Sequence, residues 1–119
     1  MKVSVIWIDR EHARIFHFSE ENMERKRIRG GHKEHHSHRR DNLDHEREEK
    51  SLFAEAKDEL SASDRVLIVG PSMAKHHFQT FLVEHYPAIA KKIVGLETVD
   101  HPSDGQIAAM AKTYFDRAS

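Results

Sequence analysis

Apolar positions along this chain fall into short runs with two different periods, and the two periods predict its elements in order. Val3 to Ile8 (Val-Ser-Val-Ile-Trp-Ile) is almost wholly apolar and rich in β-branched residues, which predicts a strand buried on both faces. Asp9 to His12 is a polar turn. Ala13 to Phe18 alternates, with Ala13, Ile15 and His17 on one face and Arg14, Phe16 and Phe18 on the other, a second strand. Glu20-Glu21-Asn22 turns the chain, and Met23 to Arg29 returns as a third strand ending at Gly30-Gly31. Three strands with short links predict an antiparallel meander.

Gly30 to Asp44 shows neither period. This predicts a loop of about fifteen residues, near the upper limit of loops in compact domains, where loops tend to carry function or to be disordered. Leu52, Phe53, Ala56 and Leu60 then mark one face of a helix from about Glu46 to Ser61, with an acidic first turn suited to the helix dipole. Arg65 to Gly70 is a short buried strand. Ser72 is the candidate N-cap of a helix whose stripe is Phe78, Phe81, Leu82 and His85, ending before Pro87. A polar turn with Lys91-Lys92 leads to a strand from Ile93 to Val99, broken by His101-Pro102. Ser103 and Gln106 match a capping box ahead of a last helix with the stripe Ile107, Met110, Ala111 and Tyr114. The order β-β-β-loop-α-β-α-β-α predicts one α/β domain over 1–119: a five-stranded mixed sheet with helices on both faces, in the ribonuclease H-like order.

Charge adds a feature that periodicity does not contain. The 119 residues are formally −1, yet Arg25 to Arg40 holds seven Lys or Arg against one Glu, and Asp41 to Glu49 holds five acids against one Arg. A basic element of this density predicts a polyanionic partner, whereas the acidic half also fits a solvated, self-screening face. The chain has no Cys, which excludes disulfides and thiolate chemistry. No run approaches the ~20 apolar residues that cross a bilayer, and the N-terminus enters a strand pattern without signal-peptide architecture. The expectation is a cytoplasmic protein with no membrane partner.

Within this frame the chain resembles a known family. Arg29-Gly30-Gly31-His32 ends the third strand, a basic stretch runs on through Arg39-Arg40, and Val66 to Gly70 forms the later strand. These residues and the element order resemble the middle domain of archaeal and eukaryotic class I peptide-chain release factors. They also resemble stand-alone bacterial proteins related to that domain, some described as host-attachment-like or translational-machinery-component proteins. In the release factors this loop carries Gly-Gly-Gln, which enters the ribosomal peptidyl-transferase centre and positions water against the peptidyl-tRNA ester. Here His32 stands in the place of Gln.

The resemblance implies a ribosome- or tRNA-associated protein, with peptidyl-tRNA ester hydrolysis as its candidate activity. Gly30, Gly31 and His32 would be the catalytic residues. Ribosomal RNA or tRNA would be the partner, alongside a protein carrying the other domains that release factors hold in one chain. The residues support RNA contact independently. Two glycines permit close backbone approach, although an ordinary strand-ending turn uses the same pair, and Arg25, Lys26, Arg27, Arg29, Lys33, Arg39 and Arg40 are phosphate-binding candidates. Arg25, Arg27 and Arg29 share one strand face; the alternative use of that face is a charged, solvated sheet edge.

Two other readings compete. His32, His35, His36 and His38, with His45 nearby, could bind a metal or gain charge in mild acid, making a non-enzymatic metal- or pH-responsive binding module. Their spacing is not a standard zinc signature, so no metal or other cofactor is expected. The ribonuclease H-like order also suggests a metal-dependent nuclease, with Asp9, Glu46, Glu48 or Glu49, and Asp100 as carboxylates. That set is incomplete, because the strand ending at Gly70 carries no acid. His76-His77 reads as a partly exposed helix face, and Trp7 as core.

Overall fold

The computed structural model describes residues 1–20, 22–29 and 42–118, with the side chains of the first and last helices described from Glu49 and as far as Asp116. The elements are β1 (Val3–Ile8), β2 (His12–Phe18), β3 (Met23–Arg29), α1 (Asn42–Leu60), β4 (Arg65–Gly70), α2 (Ala74–His85), α3 (Pro87–Ala90), β5 (Ile93–Thr98) and α4 (Asp104–Ala118). The strands form one sheet in the order β3-β2-β1-β4-β5. β1 pairs antiparallel with β2, and β2 with β3; β4 runs parallel to β1 and to β5. The predicted five-stranded mixed α/β sheet is present.

Its apolar pattern explains why β1 lies in the middle. Val5, Ile6, Trp7 and Ile8 are all buried, so this strand needs cover on both faces. Ile6 and Ile8, with Ala13, Ile15 and Ile28, pack against Leu52, Phe53, Ala56 and Leu60 of α1 and Phe78 and Leu82 of α2. Val5, Trp7, Phe16, Leu67 and Val69 face Ile107, Ala111 and Phe115 of α4 on the other side. The alternation read along β2 is thus realised, with Ala13 and Ile15 toward α1 and Phe16 toward α4. Asp9 is a turn residue: its Oδ1 accepts the amide hydrogens of Glu11 and His12, at 2.8 and 2.7 Å. The capping box of α4 closes as predicted. Gln106 N–H donates to Ser103 Oγ (3.2 Å), and Ser103 N–H donates to Gln106 Oε1 (2.8 Å).

Several boundaries differ from the sequence reading. α1 begins at Asn42 rather than near Glu46, so residues 42–44 are helical and not part of a loop. That opening stretch has no apolar stripe, and periodicity is blind to a helix with polar first turns. Ser72 is not the N-cap of α2. Met73 holds that position, and Ser72 Oγ accepts only a 3.4 Å hydrogen bond from Ala74 N–H. A short helix that the sequence reading did not contain, α3, runs from Pro87 to Ala90 with the proline in its first turn and Ile89 buried, and the expected turn at Lys91-Lys92 follows it. His85 is exposed at the border of the α2 stripe, with its ring 5.4 Å from Phe81.

Candidate nucleic-acid interface

β3 is an edge strand, and among its residues only Ile28 is buried. Register fixes where its charges point. Arg25, Arg27 and Arg29 stand opposite Phe16, Arg14 and His12 of β2, on the α4 side of the sheet. Lys26 and Ile28 stand opposite Ile15 and Ala13, on the α1 side. The predicted alignment of three β3 arginines on one face is therefore present, and Arg14 joins it from the neighbouring strand.

Three of these guanidinium groups meet one carboxylate. Asp104, the first residue of α4, accepts from Arg14 at Oδ1 (2.9 Å), and from Arg25 (3.0 Å) and Arg27 (3.1 Å) at Oδ2. Its position suits a negative charge, since the helix dipole is positive there. Partial burial of Asp104 works to raise its pKa. The hydrogen bonds from Arg14 and Arg27, and the charges of both, outweigh this and hold it below the usual carboxylate value. Arg14 also stacks 4.5 Å over the Trp7 ring, and Trp7 Nε1 donates to the carbonyl of Asp100 (2.8 Å). On the other face Lys26 lies 3.3 Å from Glu59. The cleft there, between β3 and α1, is lined by Lys26, Arg27, Ile28 and Arg29 of β3 and by Glu55, Asp58 and Glu59 of α1, three basic residues against three acidic ones. Its mixed charge makes it a poorer anion site than the α4 side.

Beneath that cleft sits a buried polar network. Ser4 Oγ lies 2.6 Å from both His17 Nδ1 and Ser63 Oγ, and Glu59 is 3.6 Å from His17 Nε2. Every group is satisfied when Nδ1 accepts from Ser4, Ser63 donates to Ser4, and Nε2–H faces Glu59. Burial, then the charge of Lys2, pushes the His17 pKa down, against the opposing pull of Glu59 and Glu24. Serine, histidine and carboxylate in a row suggest a nucleophile. Ser4 is wholly buried, however, and among the described residues its hydroxyl meets His17 and Ser63, in a network that joins β1, β2, α1 and the turn before β4.

The other predicted site residues are placed as follows. Gly30, Gly31, His32, Lys33, His35, His36, His38, Arg39 and Arg40 lie outside the described residues, as do the side chains of His45, Glu46 and Glu48. Asp9 is engaged by its own turn, Glu49 pairs with His77 of α2 (3.4 Å), and exposed Asp100 pairs with His101 (2.9 Å). Among the described residues no group of three His, Cys, Asp or Glu could hold a metal ion, and no helix is long and apolar enough to cross a membrane. Sequence reasoning missed Arg14 and Asp104 as parts of the basic surface. Arg14 was legible as sharing a strand face with Phe16. Asp104 was not, because nothing local says that α4 starts beside β3.

This sheet, with its helical layers, is a fold that solved archaeal proteins contain within longer chains. One is Archaeoglobus fulgidus Pelota, with a TM-score of 0.65 and 23% identity over 98% of this chain and 33% of that one. Another is the archaeal translation termination factor aRF1, at 0.61 and 18%, over 87% of this chain and 31% of that one. Thermoplasma acidophilum Pelota gives 0.63 and 16%, over 90% and 30%. The chain thus spans about a third of the length of the solved proteins it matches. No protein-family model and no curated protein matches it.

Proposed function

We propose that this chain is a translation-related, ribosome- or tRNA-associated protein whose edge strand β3, and the segment that follows it, face RNA. The observation that carries the reading is the excess of guanidinium over carboxylate on an exposed strand leading directly into Gly30-Gly31-His32. The likeness of fold to an archaeal translation termination factor supports it. Arg25, Lys26, Arg27 and Arg29 contact phosphates at the base of the segment, and Lys33, Arg39 and Arg40 extend that contact. In the finer form of the proposal, Gly30 and Gly31 offer backbone donors at close approach. His32 positions or deprotonates the water that attacks a peptidyl-tRNA ester.

Labelled protein challenged with purified ribosomes and with bulk tRNA, read by ultracentrifugation and native gel shift, tests the partner. Association with at least one at low salt is expected, and association with neither contradicts the reading. Peptide release from a stalled ribosome complex tests the chemistry separately. His32→Ala is expected to slow release, and unchanged release removes His32 from the role.

A further inference from the structure

The arginine cluster at the start of α4 is lopsided. Arg14 and Asp104 form an inner pair, each less than a fifth exposed, with Arg14 held against Trp7. Arg25 and Arg27 are the outer members, with side chains 59% and 74% exposed, each giving one nitrogen to Asp104 Oδ2. A guanidinium carries five N–H donors in a rigid fork. Each outer arginine therefore keeps donors for a second acceptor while the first fixes its position. Among the described residues, one carboxylate meets three guanidinium groups, an excess of two positive charges. Residues two apart on one strand face are about 6.8 Å apart, which lets the two forks take separate phosphates of one strand.

We infer that Arg25 and Arg27 form a phosphate clamp for an RNA backbone, and that Asp104 is its built-in counterion, setting how tightly the clamp binds. This rests on the RNA-facing reading above. In free protein the carboxylate occupies part of each fork and lowers the local potential. A phosphodiester engages the outward donors and competes with Asp104 for the rest. Arg14 and Trp7 act as positioning residues, keeping Asp104 and the α4 terminus in place beneath the outer pair.

The test is fluorescence anisotropy of the full chain with a labelled single-stranded RNA over a potassium chloride series. The double variant Arg25→Gln, Arg27→Gln is expected to bind more weakly, with a salt slope shallower by about 0.7 for each phosphate no longer neutralised. Asp104→Asn removes the charge while keeping an acceptor oxygen, and is expected to bind on the order of three-fold more tightly or better. Wild-type binding with unchanged affinity and slope in the double variant would overturn the clamp and leave the RNA-facing reading standing. A folded Asp104→Asn protein that binds no more tightly than the wild type would overturn the counterion role. Should Asp104→Asn fail to fold, as judged by circular dichroism, the exposed outer arginines decide the matter. Failure of the wild type to bind at low salt would overturn both the clamp and the reading beneath it.

Discussion

At the scale of single residues, two polar groups do different work inside one sheet. Ser4 joins His17 and Ser63 through two 2.6 Å hydrogen bonds in the dry interior. Ser4→Ala leaves both partners short of a hydrogen bond, at an expected cost of about 1–3 kcal/mol in urea unfolding. His17 gives this network a pH dependence. Burial and Lys2 depress its pKa below 6.5, so between the folded value and 6.5 the unfolded chain binds the proton more readily. Stability is then complete above about pH 6.5 and falls as the pH drops below it. Unfolding midpoints of wild type and His17→Gln across that range check the sign: the wild type should lose more on acidification. The reverse would mean that Glu59 holds a protonated imidazole. The Asp104 pKa is also lowered, but for a carboxyl group that shift favours the charged form. Its contribution is present above 3.8 and is lost as pH falls through its depressed folded value, because the arginines no longer face an anion.

At the scale of elements, strand positions were the most legible part of the chain. β1 and β4 form over the expected residues because burial on two faces leaves a pattern with a single interpretation, and β3 forms over its expected residues because a short turn returns it alongside β2. The start of α1 and the whole of α3 were not legible, since Asn42 to Glu48 has no apolar repeat and α3 is a single turn around Ile89. Two substitutions probe how the elements are joined. A Cβ on Gly70, at the end of β4, would collide with the Ile8 carbonyl oxygen, a backbone atom that cannot swing away. Gly70→Ala is expected to cost about 1–3 kcal/mol or more, measured by chemical denaturation. A neutral result would mean that β1 and β4 separate more easily than their pairing indicates. Ser103→Ala opens the capping box of α4 and should cost about 0.5–2 kcal/mol. It should also loosen Asp104 beside it, visible as tighter RNA binding, the direction expected of Asp104→Asn.

At the scale of the molecule, function depends on placement that no local pattern carries. The basic run from Arg25 was visible in sequence, as was its continuation through Lys33, Arg39 and Arg40. Its balance was not. Three arginines from two strands share the carboxylate of Asp104, some eighty residues away in the chain from β3. They do so because the segment after β5 is held at the ends of β4 and β1, by Val99 N–H to the Gly70 carbonyl and Trp7 Nε1–H to the Asp100 carbonyl, and so brings the α4 terminus to the meander. The arginines are therefore positioned as well as charged, and an ordinary solvated sheet edge would not need that. The central claim is that this positioned surface meets RNA in translation. Cosedimentation with purified ribosomes over a salt series tests it most directly. Association at low salt that weakens steeply between about 50 and 200 mM, with a shallower fall in the Arg25→Gln, Arg27→Gln protein, is the predicted result. Absence of association at low salt, or association indifferent to salt, would contradict it.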